Sequence, residues 1–464
     1  IKHVVLINCG ATVDIVELLQ PEEVVRFYIC DSHRPVDIHN FYNAVQVKLL
    51  MREDELSTIP TYDEVFRDDD EDSDNSGNES DDPETGYKKK RFDDESILRR
   101  QERRRWNEER VKILFDYTKF TSYGTSVALV MFESAWKLSK DTNNLLWLAI
   151  VGVTDQFVHF KTPRDKYMED VITLQSHVSR HNQRGSDGES LLSINCLRIS
   201  FEEELHLNLY RHWTLFESIC HSMQIACKLR LWTLKGQKRL HEFLAEMGLP
   251  IVQCKQQFSA MDMSLRSEVK GRMQDYMNKY GLENQDIVLP SFSMQFGYRN
   301  ILCATDYVLA CAATLESMLQ LRSLVAQVQS SLDMHQIISA GPFLYVFVQE
   351  GTADSRFFSR PLSLIRLARF TLQAHCSVTR NKKAYSLPLV LGAPLSLEEG
   401  TCSIIGIPPL DTDDERKNFF GKAFEQAAES TNMTAKCNGF DSFIIEMRIE
   451  DRSKFFDALI SMLQ

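Results

Sequence analysis

The sequence predicts an α/β protein in three parts: an N-terminal parallel-sheet domain, a helical insert domain and a smaller C-terminal α/β domain. Three observations carry this. Residues 1–66 alternate strand and helix patterns, residues 161–290 are dominated by helical spacing, and strand-like apolar runs return after residue 343. The boundaries fall at 1–160, 161–300 and 301–464, and 464 residues suffice for two or three substantial cores.

In chain order, Val4-Val5-Leu6-Ile7 and Arg26-Phe27-Tyr28-Ile29-Cys30 read as buried strands of a parallel sheet. Between them, Val13 to Leu19 has helical spacing and stops at Pro21; Phe41 to Met51 reads as a second helix. Asp68 to Glu84 holds no apolar residue to bury, so 67–93 should be a self-repelling acidic loop followed by a basic run. Ser73, Ser76 and Ser80 each precede acidic residues and would suit an acid-directed kinase; a solubilising insert accounts for the segment equally well. Lys88-Lys89-Lys90-Arg91 is a run of nuclear-import type, which points to the nucleus. Residues 94–112, rich in Arg and Glu, read as a long charged helix, either a plain solvated face or a protruding arm for a partner.

Ser126 to Lys140 is an apolar helix that should pack on the sheet, and Leu145 to Phe157 reads as a helix running into a Gly152-Val153-Thr154-Asp155 loop. In the insert, Ser200 to Ile219 is read as helical, and Leu234 to Met247 ends at the stop signal Gly248-Leu249-Pro250. The C-terminal part offers strands at Phe343–Val348, Leu387–Leu391, Ser403–Ile407 and Ser442–Met447, with helices at Asp414–Glu429 and Ser453–Leu463. The Glu316–Leu321 stretch changes character abruptly, as at an absent loop. The chain starts at Ile1 inside a strand-like run, so an N-terminal piece is expected to precede it, with a signal peptide left open.

Composition narrows the function classes. A net charge of −12 argues against wholesale wrapping of nucleic acid, and no apolar run is long enough to span a bilayer. The eleven cysteines are scattered singly, with Cys9, Cys30, Cys227, Cys303 and Cys311 in apolar surroundings. Reduced buried thiols are expected, not a disulfide framework or a zinc site.

The chemistry centres on Tyr28-Ile29-Cys30-Asp31-Ser32-His33-Arg34-Pro35, one strand and one turn after Leu6-Ile7-Asn8-Cys9-Gly10. Both motifs sit where an apolar strand stops, and open α/β sheets bind ligands at such strand ends. Asp-Ser-His looks like a metal-dependent phosphoesterase loop with one ligand missing. The candidate cluster is Asn8, Asp31, His33 and Asp155, with Ser32 inside the loop. A two-metal site needs several carboxylates and imidazoles, and neutral Asn8 and Ser32 are poor ligands for a hard cation. In the plainer alternative, Asp31 and His33 hold the turn before Pro35. No resident metal and no cofactor are expected. The sequence has no phosphate-binding glycine loop and no nucleophile elbow, so any nucleotide-driven step belongs to a partner.

For nucleic acid, basic residues mix with aromatics at Lys228 and Arg230 near Trp232, at Lys235, Lys238 and Arg239, and at Arg356 and Arg360 around Phe357-Phe358. Such mixtures suit single strands through charge and stacking; a solvated helix face over core aromatics explains them too. Phe420 and Phe424, at i and i+4, read as core.

The segments Asn8-Cys9-Gly10, Cys30 to Pro35, Gly152 to Gln156, His177 to Asn182, Gly236 to Leu240, Gly341 to Tyr345, Arg416 to Gly421 and Glu450 to Phe455 closely resemble the cell division control protein 45 family. These are eukaryotic replication factors related to the RecJ-like DHH phosphoesterases, and the resemblance covers essentially the whole chain. It implies an N-terminal DHH-type parallel-sheet domain, a helical insert domain and a C-terminal DHHA1-like α/β domain. It further implies a nuclear, non-catalytic scaffold subunit of the replicative DNA helicase. The partners implied are the Mcm2–7 ATPase ring, the GINS tetramer, origin-loading factors and polymerases, with single-stranded DNA as a further contact and no membrane. Active DHH nucleases carry Asp where this chain has Asn8 and His where it has Ser32, whereas Asp31, His33 and Asp155 match. An Asp-x-Asp motif of that family would precede Ile1. The alternative is an active metal-dependent single-strand exonuclease. Interface patches are expected around Trp213 and Trp232 and on the C-terminal helices.

Overall fold

The computed structural model describes residues 2–66, 86–184, 197–296, 300–310, 314–349, 351, 354–379, 382–396, 398–410, 417–433, 435–437 and 441–463. Asp14 opens the first helix: its carboxylate accepts from the Val16 and Glu17 N–H groups at 2.9 and 3.0 Å. That helix, α1 (Ile15–Leu19), joins β1 (Lys2–Ile7) to β2 (Val25–Cys30), and the strands pair in parallel from Lys2↔Val25 to Ile7↔Cys30. After the short strand β3 (His33–Arg34) come α2 (Ile38–Tyr42) and β4 (Val47–Leu49), and the sheet order is β1-β2-β4.

Two readings change here. β2 is buried, with Phe27 and Ile29 at 3 and 1 % exposure, but in β1 Val5 and Ile7 are 54 and 59 % exposed. Among the described residues β1 pairs with β2 alone, at one side of the sheet, and the faces carrying Val5 and Ile7 are uncovered. Phe41 to Met51 is not one helix. Asn43 Oδ1 accepts from the Val45 and Gln46 N–H groups at 3.1 and 2.9 Å, an Asx turn that stops α2 and releases β-branched Val47 into β4.

After α3 (Tyr62–Val65), the charged region forms α4 (Gly86–Thr118), a helix about 50 Å long at 1.5 Å per residue. Arg104 and Arg105, highly exposed, pair with Glu108 and Glu109 at 3.3 and 3.4 Å. The helix is tied down by Trp106 Nε1, which donates to the Asp63 carbonyl at 3.4 Å, and by the Tyr117 hydroxyl, which donates to the Val36 carbonyl at 2.9 Å. Ser73, Ser76 and Ser80 lie outside the described residues, as does Cys311; Lys88, Lys89, Lys90 and Arg91 fall within the first turns of α4.

β5 (Ser122–Tyr123) pairs with β3, and three helices follow: α5 (Val127–Lys137), α6 (Asn143–Val158) and α7 (Arg164–Arg184). The expected Gly152–Asp155 loop is helical, part of α6. Gly152 serves close approach instead of a turn: a Cβ there would lie 2.6 Å from the Ala128 Cβ and 2.8 Å from the Ser126 Oγ of the adjoining α5. Leu129, Phe132, Leu146, Ile150, Val153 and Leu174 pack these helices together.

The middle of the chain carries more strand than its spacing suggested. β6 (Leu197–Leu205) extends where a helix from Ser200 was read; it pairs along its length with a later strand, from Leu197↔Phe296 to Leu205↔Val288. The helices α8 (Leu215–Cys220), α9 (Met223–Leu229), α10 (Leu234–Glu246), α11 (Ile251–Cys254), α12 (Met263–Tyr276) and α13 (Asn284–Ile287) come next. Thr233 caps α10, accepting from the Gly236 N–H at 3.0 Å. β7 (Val288–Phe296) and β8 (Asn300–Cys303) complete a three-stranded antiparallel sheet, β6-β7-β8. α14 (Ala304–Ala310) and α15 (Thr314–Asp333) lead onward, and Glu316–Leu321 lies inside the continuous α15.

The C-terminal sheet comprises β9 (Ile338–Ser339), β10 (Leu344–Phe347), β11 (Leu389–Ser396), β12 (Thr401–Ile407), β13 (Lys436–Cys437) and β14 (Ile444–Arg448), in the order β13-β14-β12-β11-β10-β9. Only β10 and β11 are parallel among these pairs, and α16 (Pro361–Val378) crosses between them. α17 (Phe420–Ser430) and α18 (Arg452–Leu463) cover the sheet. Phe420, Phe424 and Phe455 are fully buried, so the Phe420/Phe424 pair is core as read. This core continues into α8–α13 without a break, from Leu205 through Leu244 and Phe370 to Leu459. Cys9, Cys30, Cys220, Cys227, Cys254, Cys303, Cys376 and Cys402 are free thiols, and no described helix is long and apolar enough to cross a membrane.

Candidate functional site

The predicted loop sits at the C-terminal end of β2, beside the end of β1. Asn8 adopts a left-handed backbone, φ 58°, and its N–H donates to the Cys30 carbonyl at 2.7 Å. This turns its side chain toward the loop, where the Ser32 hydroxyl donates to Asn8 Oδ1 at 3.0 Å. Thus Asn8 and Ser32, the two neutral residues of the candidate cluster, bond to each other.

Asp31 is 6 % exposed, and both its oxygens are occupied. Oδ2 accepts from the Ala11 N–H at 3.0 Å; Oδ1 accepts from the His33 N–H at 3.1 Å and lies 2.6 Å from His33 Nδ1. Burial pushes this carboxyl up, but the bonds and charge of His33 and the two N–H groups outweigh it, and the net shift is downward. Arg34 closes the turn, with Nη1 donating to the Asp31 and His33 carbonyls at 2.9 and 2.8 Å and its other nitrogens bound to Glu55. The Arg34–Pro35 peptide is cis. The plainer alternative, Asp31 and His33 holding the turn, is what these bonds describe.

Asp155 lies on α6, and its carboxylate pairs with His159 Nδ1 on its own helix at 3.1 Å. Burial raises its pKa, while His159 and Lys161 lower it further. The structure brings Asn8, Asp31, Ser32 and His33 together; Asp155 is turned to His159. Among the described residues no group of three or more His, Cys, Asp or Glu side chains is placed to hold a metal ion. The donors of a two-metal centre do not fit here, because the carboxylates and the imidazole already satisfy one another.

Residues that sequence reasoning did not single out close the front of this loop. The Tyr123 ring packs 5.4 Å from that of His33, Lys161 Nζ sits 4.8 Å above Tyr123, and the Tyr123 hydroxyl donates to Asp441 of the C-terminal part. Burial and the Asp441 charge push the Tyr123 phenol far up, so it stays protonated. Thr121 and Asn418 exchange backbone hydrogen bonds at 2.8 Å each, an isolated antiparallel bridge between the N-terminal and C-terminal parts. A space of only about 30 Å³ remains behind it, bordered by Tyr123, His159, Lys161 and Asn418. Asn418 lay within a quoted motif; Tyr123 and Asp441 carry no local signal, because partners 318 residues apart meet only through the fold.

The predicted basic residues are dispersed. Lys228 pairs with Asp286 at 3.8 Å, Arg230 is a left-handed helix end, and Arg239 donates to the Tyr280 carbonyl at 3.1 Å. Lys235 and Lys238 are exposed on α10. Arg356 stacks over Phe357 at 5.0 Å, and Arg360 pairs with Glu316 at 2.9 Å. Trp213 does not form a surface patch: it is 6 % exposed, buried with Leu209 and Leu309, while Trp232 is partly buried against the main core.

Comparison with known proteins agrees with this architecture. The family model described as CDC45 matches residues 1–82, 52–323 and 316–462. A cell division control protein 45 homolog of Homo sapiens is 45% identical over 497 residues, covering 99% of this chain and 88% of that protein. The Schizosaccharomyces pombe homolog is 30% identical, covering 99% and 87%. The crystal structure of CDC45 from Entamoeba histolytica superposes with a TM-score of 0.63 at 22% identity, over 100% of this chain and 84% of that one. By sequence and by fold, the chain belongs to the CDC45 family.

Proposed function

We propose that this chain is a non-catalytic scaffold subunit of the eukaryotic replicative DNA helicase, working with the Mcm2–7 ring and the GINS tetramer in the nucleus. Membership of the CDC45 family supports a role in DNA replication and the cell cycle. The observation that carries the non-catalytic reading is internal saturation of the loop: Asn8 with Ser32, and Asp31 with Ala11 and His33. A hydrolase at this position needs carboxylates free to take metal ions, and these are spent on the fold. ATP hydrolysis then belongs to the partner ring, and this chain contributes surfaces. The basic run at Lys88–Arg91 supports nuclear import.

The test is a nuclease assay with Mn²⁺ and end-labelled single strands. The expected result is no release above that of an Asp31→Asn variant. Release that this variant abolishes would establish the rival reading, an active exonuclease. Co-elution with purified Mcm2–7 and GINS tests the scaffold itself.

A second reading, contact with single-stranded DNA, is favoured by a cleft of about 430 Å³ beside the loop, where Lys161, Lys166 and Lys417 line the wall with Tyr117 and Phe120, alongside Asp54, Asp116 and Glu55, the last paired with Lys166 at 3.8 Å. Cations interleaved with aromatic rings suit a single strand.

A further inference from the structure

Little of the fold holds the outer part of α4. Leu98 and residues 100–105 are all exposed, and Val111 and Phe115 also lie at the surface, so no apolar stripe packs this stretch against the body. A helix that is polar on every side depends on charged neighbours to persist in water. The charge here is one-sided: residues 98–112 carry seven Arg and Lys against three Glu, in a chain whose net charge is −12. Arg104 and Arg105 are met by Glu108 and Glu109 one turn on. Arg100 and Arg103, three residues apart and so on one side of the helix, have no carboxylate partner among the described residues.

The anchoring of α4 decides what runs beside these two arginines. Trp106 Nε1 donates to the Asp63 carbonyl at 3.4 Å, so α3 sits against the middle of α4. The helix begins at Gly86, twenty residues before Trp106, which is about 30 Å along its axis. Residues 67–85 join those two places on the same helix. Nineteen residues reach at most about 65 Å, so the link covers the distance with slack and has Arg100 and Arg103 within its range. Its composition is the complement of theirs: residues 68–84 hold ten Asp and Glu and no Arg or Lys. Covalent attachment at both ends keeps those carboxylates near the helix at an effective concentration on the order of millimolar.

We propose that residues 68–84 dock along the arginine side of α4, with their carboxylates paired to Arg100 and Arg103 across the exposed turns between Leu98 and Arg105. The chain then supplies the counter-charge for its own basic arm, and an outside anion reaches that arm only by displacing it. A second copy of the chain would bring the same excess of cations to this face. A nucleic-acid strand would have to compete from free solution against an occupant tethered at both ends. The assignment does not depend on the replication reading.

Arginine-specific labelling of the full chain with phenylglyoxal, read residue by residue by peptide mass spectrometry, tests it. Exposed Arg448 on β14 is the internal reference. At about 0.05 M salt, changing the ten acids of 68–84 by Asp→Asn and Glu→Gln should speed the labelling of Arg100 and Arg103 about fivefold, the protection that several weak surface pairs give together. Arg448 should react equally in both proteins, and the melting temperature should not fall. In the unaltered chain, raising salt to about 0.5 M should by itself release most of the protection, because screening then confines the attraction to a few ångströms. A labelled peptide of residues 68–84 should bind the neutralised variant and lose that binding when Arg100→Glu and Arg103→Glu are added. Labelling of Arg100 and Arg103 that is indifferent to both neutralisation and salt would overturn the assignment. So would protection that grows with protein concentration, as a second copy would produce, or equal binding of the peptide with and without the two arginines.

Discussion

Asp306 shows how far a single side chain can depart from its ordinary chemistry in this fold. It is 3 % exposed at the start of α14, and burial, with Glu204 nearby, pushes its pKa up to about 7 despite Arg211 and the Leu209 backbone; His212 Nε2 stands 4.0 Å away. The folded state thus holds a proton that the unfolded chain releases at an ordinary carboxylate pKa, so stability falls as pH rises through the window up to about 7. Asp306→Asn should remove that cost. We expect a gain of about 4 kcal/mol at most at pH 8 and almost none at pH 4, read by urea denaturation at both values; equal effects at the two pH values would refute it. The loop was partly legible at this scale. Asn8, Asp31, Ser32 and His33 were brought together as their motifs implied, because strand ends fix neighbouring loops. Asp155 was misplaced in a loop: a glycine followed by polar residues reads as a turn, and only the approach of α5 shows why Gly152 sits within a helix.

Among whole elements, those with one dominant period were legible. α10, with its Thr233 cap and Gly248 stop, and strands β10 to β12 appear where the sequence placed them. Elements decided by a turn or by distant pairing were not. The Asn43 turn splits Phe41–Met51, and β6 is a strand because β7, some 90 residues later, offers it a ladder partner. Gly152 gives a test at this scale. In an exposed helix, Gly→Ala stabilises by about 1 kcal/mol through propensity. Here the added methyl would meet Ala128 and Ser126, so Gly152→Ala should instead destabilise by roughly 1–3 kcal/mol. Thermal unfolding followed by circular dichroism distinguishes the two signs.

At the level of the whole molecule, the Thr121–Asn418 bridge and the Tyr123–Asp441 bond hold the N-terminal loop against the C-terminal sheet. Nothing local in the sequence marks them, since each joins residues some 300 positions apart. Tyr123→Phe combined with Thr121→Val, which removes the bond to Asp441 and the Thr121 hydroxyl's bond to the Asn418 carbonyl, should loosen this closure while leaving both cores intact. Amide exchange near residues 121–124 should quicken by an order of magnitude or more, with little change in far-ultraviolet dichroism. If the cleft beside Lys161 and Lys417 takes single strands, the loosened variant should also bind a labelled oligonucleotide more tightly and with stronger salt dependence. Unchanged exchange would show that the bridge is not what keeps the cleft closed.

The core that runs unbroken from Leu205 to Leu459 also bears on inheritance. A lesion at Phe455, fully buried under the C-terminal sheet, weakens the packing on which the helices around Leu244 depend, and the reverse holds as well. Heat-sensitive alleles of this gene should therefore scatter across both halves of that core and share one restrictive temperature range. Mapping them would trace the protein's interior, whereas alleles that lose a single partner at every temperature would mark its working faces.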